Sequence, residues 1–126
     1  MAKGKLKDNG VHLQPHEYHT VKLLLEFGYD IELIPESNIK GIKSPDIIMR
    51  GIPWEIKAPE GTSRKTIKHN FQHAAHQSES VIIDLCRCKQ SEAMALKEIK
   101  FQFKLTKRIK RLMVITKFEE IIDFYK

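Results

Sequence analysis

Apolar residues recur at helical spacing in three segments and form short runs between them, and this alternation of period organises the chain. The first helix is predicted from Pro15. Tyr18, Val21, Leu24 and Leu25 form its apolar stripe, proline stands near its start, and Gly28 falls where a left-handed C-cap ends a helix. A strand, Tyr29 to Ile34, follows at once. Two short apolar runs then turn at Arg50-Gly51, giving strands Ile47 to Met49 and Trp54 to Lys57. Gly61-Thr62-Ser63 supplies the turn and N-cap of a second helix running to about Gln77, with Ile67, Phe71, Ala74 and Ala75 as its buried face. Val81 to Leu85 reads as a strand and Ser91 to Phe103 as a third helix, with Leu96, Ile99 and Phe103 inward. Leu112 to Thr116 and then Ile121 to Phe124 complete the strands. A helix lying between Leu85 and Leu112 suits a crossover joining parallel strands.

Charges interrupt this pattern where two strands meet. Period-2 alternation puts Trp54 and Ile56 on one face of their strand and Glu55 and Lys57 on the other, while Asp46, after Pro45, opens the preceding strand. A strand surface has no need for two carboxylates beside an ammonium, but phosphodiester hydrolysis does. The carboxylates can hold Mg²⁺ or a similar hard cation, and the lysine can orient a water or steady developing charge. Asp46, Glu55 and Lys57 match the PD-(D/E)xK pattern of restriction-endonuclease-like nucleases. Each half of that pattern is common, and a turn aspartate followed by a surface ion pair is the plain alternative. Glu17 lies at the edge of the first helix's apolar stripe, which makes it a candidate third acid and metal ligand beside Asp46 and Glu55; the competing role is a capping-box glutamate. Glu26, near the helix end, reads as exposed.

Along the second helix, Thr66, Asn70, His73 and Gln77 follow the border between core and solvent. A groove facing substrate would be lined there, and Asn70, Gln77 and Thr66 are its candidate substrate-binding residues; the alternative is the polar flank of an ordinary amphipathic helix. His69, His73 and His76 share a helical spacing but lie opposite Ile67, with no acid or cysteine beside them, and do not read as a zinc site.

Composition limits the classes. A chain of 126 residues, 41% of them hydrophobic, buries one core, so residues 14–126 are expected as a single domain behind a flexible basic segment, residues 1–13, with Lys3, Lys5 and Lys7. The chain has no apolar run of about 18 residues and no signal-peptide core, which argues against a membrane partner. Cys86 and Cys88, one residue apart, suit neither an easy disulfide nor, alone, a zinc knuckle; two free thiols of a reducing compartment are expected. Charge is uneven: residues 87–126 hold 11 Lys and Arg against 5 Asp and Glu, and the rest of the chain is balanced, so the net +6 belongs to the last third. Lys107, Arg108, Lys110 and Arg111, at the joint between third helix and strand, are candidate phosphate contacts.

Taken in order, the helix with Glu17, Pro45-Asp46, Trp54-Glu55-Ile56-Lys57-Ala58-Pro59, Gly61-Thr62-Ser63, Ala74-Ala75-His76-Gln77 and Val81 to Leu85 resemble the C-terminal toxin domain of CdiA-type contact-dependent inhibition proteins. The resemblance covers about residues 14 to 86. It implies an α/β, restriction-endonuclease-like core of order α-β-β-β-α-β-α-β around a central mixed sheet. It also implies a nuclease toxin, often directed at tRNA, that uses a divalent metal, Mg²⁺ first and Mn²⁺ or Zn²⁺ as alternatives. A cognate immunity protein and action in the cytoplasm of a target bacterium follow from the same resemblance. The rivals are a barnase/EndoU/colicin-like fold that cleaves RNA without metal, a DNase, and a non-catalytic nucleic-acid-binding module of a phage or other mobile element.

Overall fold

In the computed structural model, which describes residues 3–36 and 44–126, seven strands form one mixed sheet in the order of the chain. They are β1 (Leu6–Lys7), β2 (Ile31–Leu33), β3 (Ile47–Met49), β4 (Ile52–Lys57), β5 (Ser80–Asp84), β6 (Arg111–Ile115) and β7 (Ile121–Tyr125). Three helices, α1 (Pro15–Glu26), α2 (Arg64–Ala75) and α3 (Glu92–Leu105), join them. β2, β3 and β4 run antiparallel, and β4, β5 and β6 run parallel. The two parallel joints are the ones that contain α2 and α3. Successive crossovers of one hand along a sheet built in sequence order lay both helices on the same face, where they also pack on each other.

The sheet therefore separates two cores. On one side Ile67, Phe71, Ala95, Ile99 and Phe103 from α2 and α3 pack on Val81, Ile83, Leu112 and Val114. On the other, Val21, Leu23 and Leu24 of α1 cover Ile31, Ile47, Trp54, Ile56, Ile82 and Met113. The alternation expected of β4 holds, with one addition: Glu55 is as buried as the apolar residues beside it, because this central strand is covered on both faces.

Some elements differ from expectation. The N-terminal segment, expected to be flexible, carries β1 among its described residues; β1 pairs parallel with β2 at the sheet edge, and Lys5 N–H donates to the Asp30 carboxylate at 2.8 Å. No apolar pattern marks a two-residue strand. α1 is rotated from its expected stripe, for Tyr18 is exposed and Leu23 is buried. Every position from Leu23 to Leu25 is leucine, so the pattern leaves the rotation open, and a hydrogen bond from Thr20 to Asp84 of β5 selects it. β2 is shorter than Tyr29 to Ile34 because only Ile31–Leu33 pair with β3. Ser63 caps α2 through Lys65 N–H, as its position predicts.

The β3–β4 turn decides where the charges meet. Arg50 and Gly51 both have positive φ, 56° and 73°, as a two-residue hairpin of the primed type requires. Arg50 is held by its guanidinium lying 5.4 Å from the ring centres of both Tyr29 and Trp54. Open space surrounds the position a Cβ on Gly51 would take, so the cost of a side chain there is conformational alone. Gly51→Ala is expected to lower unfolding free energy by about 1 kcal/mol in urea denaturation; an unchanged midpoint would mean the hairpin relaxes at no cost.

Candidate active site

The hairpin register sets Ile47 against Trp54, so Asp46 falls opposite Glu55 on the α2 side of the sheet. Asp46 is fixed from three directions: its N–H donates to Trp54 O at 2.9 Å, its carbonyl accepts from Ile34 N, and its Oδ2 accepts from Ile56 N–H at 2.8 Å. Glu55 Oε2 lies 3.2 Å from Lys57 Nζ. Its other oxygen, Oε1, is buried without a donor. A buried acceptor left in this way is costly unless something outside the chain meets it.

Electrostatics follow from that crowding. Burial first, and then the Asp46 carboxylate, push the Glu55 carboxyl up to about 8, against the pull of Lys57. Asp46 is also raised, mainly by burial, with the Ile56 amide opposing and the Glu17 charge adding to the rise. Glu17 takes the capping-box place, its Oε1 accepting from Gln14 N–H at 3.0 Å, and its charge adds to the rise of the Asp46 carboxyl.

The remaining candidates divide into two groups. Gln77 and Arg111 line one groove of about 280 Å³ with Pro45, Pro53 and Ser80, directly beside Asp46. The turn after α3 closes on this groove, since Lys110 N–H donates to Glu79 O and the Arg111 guanidinium reaches Ser80 Oγ at 3.4 Å. Lys107 and Arg108 stand exposed on that turn, and among the described residues neither they nor Lys110 and Arg111 pair with a carboxylate. Thr66 and Asn70 lie elsewhere, half-buried on α2, where the Asn70 amide donates to Thr66 O at 2.7 Å. His69, His73 and His76 are all exposed.

A second polar cluster, on the α1 side where β5 ends, has no counterpart in the sequence reading. Asp84 ends β5 almost fully buried, with His19 Nδ1 3.3 Å from its Oδ2 and Cys86 N–H donating to its Oδ1 at 2.9 Å. Burial pushes the Cys86 thiol up to about 12, with Asp84 and then Glu119 adding to the rise. One signal was available: an aspartate closing the otherwise apolar run Val81-Ile82-Ile83.

Fold and sequence agree on the class, a CdiA-type toxin domain of mixed α/β architecture. The chain belongs to the family "Contact-dependent growth inhibition CdiA C-terminal domain", whose pattern matches residues 43–121. Its fold is similar to that of a chain solved in a "CdiA-CT/CdiI toxin and immunity complex from Burkholderia pseudomallei", with a TM-score of 0.73, 19% identity, and coverage of 98% of this chain and 100% of that one. No curated protein matches it.

The raised Glu55 carboxyl predicts a pH dependence of stability. The folded chain holds a proton that the unfolded chain has released above 4.5, so stability is complete below that pH and declines as pH rises towards about 8. The melting temperature of metal-free protein is expected to fall across this window, and Glu55→Gln to flatten the fall. An equally steep decline in the variant would remove Glu55 as its source.

Proposed function

We propose that this domain is a metal-dependent nuclease of the CdiA toxin class, a ribonuclease acting on tRNA. The observation that carries the reading is the buried confrontation of Asp46 and Glu55 beside Lys57, with Glu55 Oε1 lacking a donor. Two carboxyls that repel each other and an unmet buried oxygen form a set that a hard cation suits, and oxygen donors are those Mg²⁺ selects. The order α1, β2, β3, β4, α2, β5, with the acids on adjacent antiparallel strands, is compatible with a PD-(D/E)xK core.

In this reading Asp46 and Glu55 hold the divalent ion and Glu17 adds a third carboxylate from α1. The ion, when bound, supplies positive charge to the scissile phosphate and makes a water more acidic. Ile56 N–H holds one oxygen of Asp46, so the other would be the one to ligate a metal. Lys57, tethered to Glu55, orients the attacking water and steadies charge on the phosphate. The groove with Gln77 and Arg111 receives the adjoining nucleotides, and Lys107, Arg108 and Lys110 contact phosphates at its rim. A cognate immunity protein neutralises the domain, a reading supported by the likeness to a chain solved in a toxin and immunity complex, and the toxin acts in the cytoplasm of the target cell.

Incubation of the pure domain with total tRNA, in Mg²⁺ or in EDTA, tests this. Cleavage is expected only with metal, leaving a 5′-phosphate and a 3′-hydroxyl, and a 2′-deoxyribose at the scissile nucleotide should still be cut. A 2′,3′-cyclic phosphate formed in chelator would instead mean attack by the substrate's own 2′-hydroxyl, and a barnase-like mechanism.

Substitutions separate the roles. Glu55→Gln and Lys57→Ala, each made alone, are expected to reduce the rate by about 10² to 10⁴ with tRNA binding nearly unchanged. Wild-type rates in both would exclude this cluster. Arg111→Ala is expected to weaken binding and to lessen its salt dependence by about one phosphate contact, read as the slope of affinity against salt.

A further inference from the structure

We propose that His19, Asp84 and Cys86 form a second metal site, for a borderline transition ion of the zinc type, on the opposite face of the sheet from Asp46 and Glu55. His19 comes from α1, Asp84 from the end of β5 and Cys86 from the turn that follows. Their three donor atoms lie within 4.8 Å of one another. Tetrahedral zinc, with nitrogen and oxygen ligands at about 2.0–2.1 Å and sulfur at about 2.3 Å, needs roughly 3.3 Å between nitrogen and oxygen and roughly 3.6 Å from sulfur to either. His19 Nδ1 and Asp84 Oδ2 already stand 3.3 Å apart. The sulfur has to close by no more than about 1.2 Å, within reach of a small side-chain rotation.

The surroundings are those of a prepared ligand set. His19 Nε2 faces Glu119 Oε1 at 3.6 Å, so a proton on Nε2 directed at that carboxylate leaves the Nδ1 lone pair for a metal. Glu119 is held in the left-handed region, φ 62°, at the β6–β7 turn, a conformation that needs external support in a residue with a side chain. The Asp84 carboxylate, 2% exposed, is oriented by Cys86 N–H at one oxygen and by the Thr20 hydroxyl at the other. A cavity of about 270 Å³, lined by His16, His19, Ala58, Asp84, Cys86 and Arg87, opens on the cluster and leaves room for a fourth ligand, water or an exogenous donor. Nitrogen, oxygen and sulfur together select zinc or cobalt over magnesium, whose preference is for oxygen alone.

Binding forms bonds from Nδ1, Oδ2 and Sγ to the ion and displaces the Cys86 thiol proton to solvent, so affinity rises with pH. It also clips α1 to β5, and α1 carries Glu17 two residues before His19. The second ion thereby holds the helix that brings Glu17 towards Asp46. The two metal sites differ in donor chemistry and can be titrated apart.

Cobalt is the probe. Titration of the full chain with Co²⁺ is expected to give one thiolate-to-cobalt charge-transfer band in the near ultraviolet, with visible absorption of four-coordinate intensity, and Zn²⁺ should bleach both. Cys86→Ser should abolish the ultraviolet band, His19→Ala should weaken binding at least tenfold, and Glu119→Gln should weaken it about tenfold. Glu55→Gln should leave the band intact, which separates this site from the acidic pair. A second measurement uses unaltered protein: Zn²⁺ should slow alkylation of Cys86, with the rate at buried Cys88 as the internal reference. Absence of the band in the wild-type chain, its persistence in Cys86→Ser, or alkylation of Cys86 indifferent to zinc would each overturn the proposal.

Discussion

The hydrogen bond from Ile56 N–H to the Asp46 carboxylate, 2.8 Å long, is the contact on which the acidic cluster depends. It ties the residue that enters β3 to the middle of β4, next to Glu55. Any slip of register would turn every side chain of β4 to the other face, exchanging Glu55 for Trp54 or Ile56. Two features prevent the slip. The Arg50-Gly51 turn admits one pairing, and Trp54 is anchored in the α1-side core with its indole N–H donating to Met49 O. The charged cluster is therefore a consequence of apolar packing on the reverse side of the same strand.

Burial gives that cluster its chemistry. On an exposed strand, Glu55 and Lys57 would form an ion pair of small worth, screened by water. In a strand covered on both faces the same residues become an acid raised to about 8, an ammonium held against it and an oxygen with no donor. The proposed divalent ion would meet the unpartnered oxygen and offset the repulsion of the two carboxylates. Asp84 shows the same logic on the other face, where a buried carboxylate ends the apolar strand β5 and gathers a histidine, a hydroxyl and a thiol around itself.

The Asp84 cluster lies at the edge of the sheet where the parallel strand β5 ends, while Asp46 and Glu55 meet further back, Glu55 pairing with Val81. In open α/β sheets this edge is where helices and loops leave crevices, and ligands collect there. The α3–β6 turn brings the basic residues to the opposite end of the parallel strands, beside Gln77 and Pro45. A single polynucleotide lying along the α2 side could meet the basic turn and the acidic cluster together.

Much of this was legible in the chain itself. Apolar spacing identified α1, α2 and α3 and the strands from β2 to β7, and the helix between Leu85 and Leu112 implied the parallel pairing of β5 and β6, because those signals are local and repeat over many residues. Asp46, Glu55 and Lys57 could be named because strand alternation and one tight turn are enough to bring them together. Three matters needed the tertiary structure. β1 is too short to have a pattern and exists through its pairing with β2; the rotation of α1 is decided by Thr20 meeting Asp84, across 64 positions of sequence. The cluster of His19, Asp84, Cys86 and Glu119 joins a helix, a strand end and two turns. Local sequence determines which face of an element a residue occupies, but only the packing of those elements decides which distant faces meet.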